Sequence, residues 1–202
     1  MFKTFLATLA VGASLAGASA AATVANGGFE APGTFSGAFE AFASLDGWSV
    51  DAGSVDLINT YWNPSEGAYS VDLSGNSPAT ISQTISGLTS GAKYLLSFDM
   101  AGNMDGGAIV KSLLASVGGT SGTFTFDTSL HSKAAMGWER MTLAFTAEAS
   151  SLLLSFASLE ADNPYGAALD NVSVAAVPLP AAGLLMLGGL GALVAAGRRR
   201  RA

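Results

Sequence analysis

The segment Ala79-Thr80-Ile81-Ser82-Gln83-Thr84-Ile85-Ser86 alternates apolar and polar side chains, except that Gln83 occupies one of the apolar positions. A period of two is typical of a β-strand that turns one face to a core and the other to solvent. The same period recurs in further segments, at 94–100, 138–147 and 152–156, and a last strand with Leu169, Val172 and Val174 is predicted to close the domain. Shorter runs rich in β-branched and aromatic residues predict strands at 48–50, 55–58, 69–73, 109–117 and 123–126.

No part of residues 21–176 carries a sustained helical period with caps at both ends. The predicted strands are short and are separated by clusters of Gly, Asn, Asp, Ser and Pro, which favours antiparallel pairing without helical crossovers. We therefore predict an all-β domain built as an antiparallel jelly-roll β-sandwich.

The first residues have the order of a secretion signal. Met1-Phe2-Lys3 supplies a positive start, residues 5–16 are apolar or small, and Ala18-Ser19-Ala20 has the small-x-small pattern of a cleavage site. The apolar run is too short for an ordinary membrane span. We assign residues 1–20 to a signal peptide.

The last residues have a different order. Residues 181–197 are uncharged and rich in Leu, Ala and Gly, and four arginines follow at once: Arg198, Arg199, Arg200 and Arg201. A helix of this length is just long enough to cross a bilayer, and the arginines hold its end on the cytoplasmic side. Both ends therefore predict export of residues 21–176.

The charge of the exported part excludes some partners. It holds all 15 acidic residues of the chain against four basic ones (Lys93, Lys111, Lys133 and Arg140), so its net charge is −11. Such a surface repels nucleic acid and anionic lipid. Without cysteine, and with His131 as the only histidine, the chain cannot form a disulfide or an ordinary structural zinc site.

The C-terminal segment 177–202 resembles the VPLPA variant of the PEP-CTERM sorting signal. The short motif consists of Val177, Pro178, Leu179, Pro180 and Ala181, followed by the apolar segment and the arginines. The resemblance implies transient insertion in the inner membrane, recognition by an exosortase-type protease, and release to the cell surface or extracellular matrix of a bacterium. An ordinary single-span anchor is the alternative.

The body resembles the choice-of-anchor C family, in the expected order over nearly its whole length. The similar motifs are Asn26-Gly27-Gly28-Phe29-Glu30, Gly47-Trp48, Gly53-Ser54-Val55-Asp56, 67–75, 81–84, 98–103, Met136-Gly137-Trp138 and Leu169-Asp170-Asn171-Val172-Ser173-Val174. The resemblance implies a galactose-binding-like β-sandwich, a fold found in many carbohydrate-binding modules.

The resemblance also implies one structural calcium ion between the first and last strands. Glu30 and Asp170 would supply carboxylates, with backbone carbonyl oxygens near Gly28, and Asp51, completing the shell. The alternative is that Glu30 and Asp170 only cap strand ends at the surface.

Two aromatic residues are candidates for stacking on a sugar ring. Trp62 lies in the turn-like stretch Tyr61-Trp62-Asn63-Pro64, and Tyr165 follows Asn163-Pro164. We expect Trp48 and Trp138 to be core residues instead. The alternative for Trp62 is that it covers one end of the sandwich.

We expect a non-enzymatic, surface-directed protein that binds carbohydrate, preferably neutral polysaccharide, because acidic polysaccharide would be repelled. A self-associating structural or adhesion protein of the exopolysaccharide matrix, without a sugar site, is the second interpretation. A hydrolase acting on glycans is the third, since no nucleophile and base stand out in the sequence. No catalytic residue is assigned.

Overall fold

The computed structural model describes residues 22–31, 35 and 37–178, and every strand pairing in this part of the chain is antiparallel. Its strands are β1 Phe39–Phe42, β2 Ser44–Leu45, β3 Trp48–Ala52, β4 Val55–Ile58, β5 Ser70–Asp72, β6 Thr80–Ser86, β7 Lys93–Gly102, β8 Val110–Val117, β9 Thr120–Asp127, β10 Glu139–Thr146, β11 Ser151–Ser158 and β12 Ala167–Ala176. The strands β1 and β2 were not predicted.

The strands form two six-stranded sheets. The first has the order β1-β4-β5-β12-β7-β10 and the second the order β2-β3-β6-β11-β8-β9. The prediction of an all-β, antiparallel, two-sheet sandwich is therefore confirmed. The predicted signal peptide (1–20), Leu179 to Ala181 and the terminal arginines lie outside the described residues.

The core lies between the two sheets and follows the predicted alternation. Tyr94, Leu96, Phe98 and Met100 on β7 are all buried. The Phe98 ring meets Phe156 of the second sheet edge to face, with ring centroids 5.0 Å apart. Burying one such phenylalanine side chain contributes about 1.5–3 kcal/mol, so contacts of this kind hold the two sheets together.

The two tryptophans expected in the core differ. Trp48 is buried and stacks on Phe29 with ring centroids 5.7 Å apart, as predicted. Trp138 is only half-buried: it packs at the margin of the core, and its Nε1 donates a hydrogen bond to the Asn63 carbonyl oxygen at 3.0 Å. The expectation of a buried core residue was wrong for Trp138, because it precedes β10 rather than lying within it.

A β-bulge explains an irregularity in the last strand. Leu169, Val172 and Val174 all face the core, although a strict period of two would turn Leu169 away from the other two. The pairing of β12 with β7 shifts register between Asp170 and Ser173, and Asn171 has a φ of 49°. Asn tolerates this left-handed conformation better than most residues, so the extra residue fits without turning the core face outwards.

The outer face of the second sheet carries a row of serines. Ser44, Ser49, Ser82, Ser155, Ser116 and Ser121 lie opposite one another in register, one from each strand. The neighbouring row is Thr80, Ala157, Leu114 and Thr123. We call these ten residues the serine face. Because alternate residues of these strands fill the core, the serine face points away from it.

Candidate ligand cavity

A cavity lies on the outer face of the first sheet. Val55 and Leu57 of β4 and Val71 of β5 are buried in the core, so Asp56 and Asp72 must point to the other side of the sheet. Asp56 pairs with Asp72 on one side and with Ala41 of β1 on the other. This row forms the floor of the cavity.

The cavity has a volume of about 320 Å³ and combines rings with hydrogen-bonding groups. The rings that line it are those of Phe39, Tyr61 and Tyr165, and the polar side chains are those of Asp56, Asp72, Asn76 and Asn103. Ligand sites typically combine an apolar wall with a few placed polar groups. We call this site the aromatic cavity.

Asp72 is the most enclosed group of the aromatic cavity. Its side chain has no exposed surface, and it accepts hydrogen bonds from the backbone N–H of Ser74 (2.9 Å) and Gly166 (3.0 Å) and from Asn103 Nδ2 (2.9 Å). Burial, with a smaller contribution from the neighbouring Asp56, raises the pKa of Asp72 to about 7, although these hydrogen bonds act in the opposite direction. Burial also raises the pKa of Asp56.

Lys111 ties together two loops that border the cavity. This lysine of β8 is fully buried, and its Nζ donates hydrogen bonds to the carbonyl oxygens of Gly106 (2.6 Å) and Tyr165 (2.8 Å). Burial lowers its pKa, while Glu160 and Asp72 act in the opposite direction. The alternation of β8 predicts that Lys111 faces inwards, but the groups that its Nζ contacts there come from two distant loops and cannot be read from the local pattern.

Tyr165 packs directly on the backbone of Gly106. A Cβ atom at Gly106 would lie 2.5 Å from Cε2 of the tyrosine, closer than real side chains approach. The Tyr165 N–H also donates to Asn163 Oδ1 at 2.9 Å. Tyr165, a predicted ligand residue, is half-buried. One side of its ring packs on the backbone of Gly106, and the residue lines the aromatic cavity.

Tyr61 is fixed by an ion pair at the rim. Its hydroxyl donates a hydrogen bond to Asp105, and Lys133 Nζ lies 2.8 Å from Asp105 Oδ2 and 3.7 Å from the Tyr61 ring centroid. Although burial acts against it, hydrogen bonding from Lys133 and Tyr61 lowers the pKa of Asp105. A stacked cation and a shared carboxylate together fix the ring before any ligand arrives.

Trp62, the other predicted ligand residue, does not line the cavity. It is only 3% exposed, and its Nε1 donates a hydrogen bond to Ser70 Oγ at 2.9 Å. The loop of residues 59–69 folds over the outer face of the first sheet and carries the indole beneath it. The expectation of an exposed stacking ring was therefore wrong for Trp62, and Tyr61 beside it reaches the cavity instead.

The two predicted carboxylate ligands of calcium accept hydrogen bonds from one loop. Glu30 Oε1 accepts hydrogen bonds from the N–H groups of Ala68 (2.9 Å) and Tyr69 (3.1 Å). Asp170 Oδ2 accepts them from Ser65 (2.8 Å) and Glu66 (3.0 Å). Both carboxylates thus meet the same loop, residues 65–69.

Gly28 lies beside this loop, whereas Asp51 does not. A Cβ atom at Gly28 would lie 3.3 Å from Glu66 Oε1, and the Gly27 carbonyl oxygen accepts a hydrogen bond from Val172 N–H at 2.8 Å. The first segment and the last strand are therefore neighbours. Asp51 is exposed on β3, in the other sheet, and is not brought to this loop.

The loop carboxylates fit a cation only in part. Within the described ranges, no group of three or more His, Cys, Asp or Glu side chains is arranged to hold a metal ion. Glu30 and Asp170 would need carbonyl oxygens to complete a calcium shell. Burial, with a smaller contribution from Asp99 on the paired strand, raises the pKa of Asp170 to about 7 against its backbone hydrogen bonds. A calcium ion there stays a prediction.

The sorting motif begins where the last strand ends. Val177 N–H donates to the Lys93 carbonyl oxygen at 2.8 Å, so pairing with β7 continues one residue past β12, and Pro178 is exposed. Across residues 22–31, 35 and 37–178 no helix is long and apolar enough to cross a bilayer. The rest of the motif, Leu179, Pro180 and Ala181, lies outside the described residues, as do Arg198, Arg199, Arg200 and Arg201.

The two-sheet body coincides with one known family. The family model described as "Protein of unknown function (DUF642)" matches residues 22–175. The chain belongs to the DUF642 family. Among curated proteins, halomucin of Haloquadratum walsbyi is 30% identical to this DUF642 chain over 132 residues. That match covers 65% of the chain but only 1% of halomucin.

Solved structures resemble the DUF642 body more distantly. A carbohydrate-binding module, TmCBM61, in complex with β-1,4-galactotriose has a TM-score of 0.47 and 16% identity, covering 76% of this chain and 97% of that one. The xylan-binding domain CBM22-1 of Paenibacillus barcinonensis Xyn10C has a TM-score of 0.43 and 17% identity, covering 66% and 87%. Both scores lie below 0.5, so these likenesses carry no functional conclusion for this chain.

Proposed function

We propose that this DUF642 chain is an exported, non-catalytic β-sandwich that binds polysaccharide in the aromatic cavity. The observation that carries the proposal is the meeting of Tyr61 and Tyr165 with Asp72 and Asn103 in one cavity of about 320 Å³. A sugar presents apolar C–H faces and a rim of hydroxyl groups. Rings suit the first, and carboxylate and amide groups suit the second.

The walls of the cavity are preorganised, which favours binding. Lys111 joins the loops that carry Gly106 and Tyr165, and Asp105 with Lys133 fixes Tyr61. Side chains that are already held in place lose little freedom when a ligand binds. A weak contact such as ring stacking can then contribute most of its energy to affinity.

Export and sorting form the second part of the proposal. The signal-like first residues and the resemblance of residues 177–202 to a VPLPA-type PEP-CTERM tail support passage through the inner membrane and processing by an exosortase. A sandwich with net charge −11 is suited to the extracellular matrix, where it stays soluble beside neutral glycans.

The test is a glycan array with the purified secreted protein, followed by calorimetry on the best oligosaccharide. Tyr165→Ala should weaken binding about tenfold, since a stacked ring contributes roughly 1–1.5 kcal/mol. Tyr165→Phe keeps the ring and should keep most of the affinity. Leu153→Ala, at an exposed position of the second sheet, is the control and should bind as wild type. No binding to any glycan, or new reducing ends in the bound oligosaccharide, would contradict the proposal.

The serine face favours a second function, self-association between copies of this chain. None of its ten residues is charged, so two copies of an acidic body can meet there with little repulsion. Hydroxyl groups both donate and accept, so the same face can pair with itself about a twofold axis. Six strands at about 4.8 Å spacing give a width of roughly 24 Å.

Sedimentation velocity over a range of protein concentrations tests this second function. Ser116→Glu would place like charges against each other and should weaken the dimer at least tenfold, by about 1.4 kcal/mol or more. Thr142→Glu adds the same charge on exposed β10 of the first sheet and should leave association unchanged. A wild-type protein that stays monomeric at millimolar concentration would contradict self-association.

A further inference from the structure

We propose that the ligand of the aromatic cavity carries a protonated amine, as in a polysaccharide of hexosamine units that are not N-acetylated. This inference rests on the proposed function and names the ligand class for the same cavity. It goes beyond a preference for neutral sugars, because the floor of the cavity is acidic while its walls are aromatic.

The first argument is charge. Asp56 and Asp72 occupy directly opposed positions on β4 and β5, and both line the cavity. Like charges opposed across two strands destabilise the pair. No lysine, arginine or histidine is among the described residues that line the cavity. The site therefore lacks a cation of its own on this floor.

The nearby cations are already engaged elsewhere. Lys111 lies behind the cavity, and its Nζ is bound to the carbonyl oxygens of Gly106 and Tyr165. Lys133 stands at the rim, where its Nζ pairs with Asp105. Lys111 interacts with Asp72 through its charge, but the ion pairs of the described residues, Lys133 with Asp105 and Arg140 with Asp99, include neither Asp56 nor Asp72. A cationic group of a ligand can therefore pair directly with these two carboxyl groups.

The second argument is the rings. Lys133 Nζ lies 3.7 Å from the centroid of Tyr61, so this protein already holds one ammonium group against a tyrosine of the cavity. Tyr165 and Phe39 line the same space as the two aspartates. An ammonium group between carboxylates and rings gains from both, because the faces of aromatic rings are negative.

Other sugars fit the floor less well. A neutral sugar leaves the two opposed carboxyl groups uncompensated, so that one of them must stay protonated. A uronic acid adds a third carboxylate beside them and is repelled. Burial and Asp56 across from it raise the pKa of Asp72, while hydrogen bonds from Asn103, Ser74 and Gly166 lower it. The charged groups nearest to it on the core side are Lys111, whose pKa is lowered by burial against the effect of Glu160 and Asp72, and Glu160 itself.

The experiment compares three tetrasaccharides of equal length by calorimetry at pH 7 with the secreted protein. They are a β-1,4 tetramer of glucosamine, the same tetramer fully N-acetylated, and a uronic acid tetramer. We expect the dissociation constant of the free amine to be at least tenfold lower than that of the N-acetylated tetramer, and the difference to shrink at high salt. The uronic acid tetramer should not bind.

Asp56→Asn tests the acidic floor, because Asp56 is half-buried and its substitution is not expected to unfold the protein. The variant should lose most of the preference for the free amine while its melting temperature stays close to that of the wild type. Asp127→Asn is the control. It removes one exposed acidic side chain at the end of β9, away from the cavity, and should keep the full preference for the free amine.

The outcomes separate the two proposals. Equal or tighter binding of the N-acetylated tetramer, or an unchanged preference in Asp56→Asn, would overturn the amine inference and leave the glycan-binding function standing. If none of these tetramers and no glycan on the array binds, both proposals fail.

Discussion

Asp56 and Asp72 face each other across neighbouring strands on the outer side of the first sheet. Their separation in the sequence gives no sign of this pairing, and burial raises the pKa of both carboxyl groups. Because the pKa of this acidic pair is raised in the folded protein, its ionisation should affect the stability of the protein as the pH changes.

The stability of the protein should fall as the pH rises from about 4 to about 7. Burial raises the pKa of Asp72 from 3.8 to about 7, so the folded chain keeps a proton that the unfolded chain has lost in this window. The contribution of the protonated Asp72 to the free energy of unfolding is fully present below about pH 4, and it is lost as the pH rises through about 7. The melting temperature of the wild type should decrease between pH 4 and pH 8, and in Asp72→Asn this decrease should be smaller by roughly 5 °C or more.

Asp170 provides the comparison for this pH profile. Its pKa is also raised to about 7 by burial, so the Asp72→Asn variant should retain part of the fall. The measurement is thermal unfolding in chelator at several pH values. Parallel profiles for wild type and Asp72→Asn would mean that the pKa of Asp72 is the same in the folded and the unfolded chain, which would contradict the prediction.

Gly106→Ala should weaken glycan binding about as much as Tyr165→Ala, roughly tenfold. The new Cβ atom would lie 2.5 Å from the tyrosine ring, which must then leave its place. Gly119→Ala is the matched control, since its nearest neighbour is the flexible carboxylate of Glu148 at 3.2 Å. Calorimetry that finds normal affinity in Gly106→Ala would show that the position of Tyr165 does not matter for binding.

Trp62→Ala should destabilise the protein by about 3–5 kcal/mol, as expected for a buried aromatic side chain. The indole is 3% exposed and also loses its hydrogen bond to Ser70. Denaturant unfolding measures the free energy. A free energy of unfolding close to that of the wild type would mean that the loop of residues 59–69 does not cover the sheet in solution.

Chelator should lower the melting temperature if calcium joins the first segment to the last strand. An ion that binds only the folded state adds about 2.7 kcal/mol at a hundredfold excess over its dissociation constant. Asp170→Ala should abolish the response. Asp51→Asn should retain it, since Asp51 lies on the other sheet. A wild-type melting temperature that ignores chelator would leave Glu30 and Asp170 as acceptors of backbone hydrogen bonds only.

Processing of the tail should remove the arginines and spare the last strand. Val177 is still hydrogen-bonded to Lys93, so a cut before it would remove part of the pairing between β12 and β7. Intact-mass analysis of the surface or secreted form should find a C-terminus beyond Val177 and without Arg198 to Arg201. A mature protein with the complete tail would contradict exosortase processing.

The sequence by itself determined which apolar side chains of β6 and β7 face the core. The alternation in 79–86 and 94–100 predicted buried Ile81, Ile85, Leu96 and Phe98, and all four are buried. The period of two is a property of the extended backbone, so it can be read from neighbouring residues alone. The same argument places Asp56 on the outer side of β4, although it gives no partner for it.

Only the tertiary structure decided what lies opposite these residues. The meeting of Asp56 with Asp72, the serine face, and the contact of Lys111 with Tyr165 each depend on strand register or on loops far apart in the chain. The loop of residues 59–69 gives another example, because its conformation buries Trp62 and places Tyr61 in the wall of the cavity. The local sequence did not distinguish the two neighbouring aromatic residues. Local patterns fix the face of a residue, whereas its neighbour is fixed by pairings that the whole sandwich must satisfy at once.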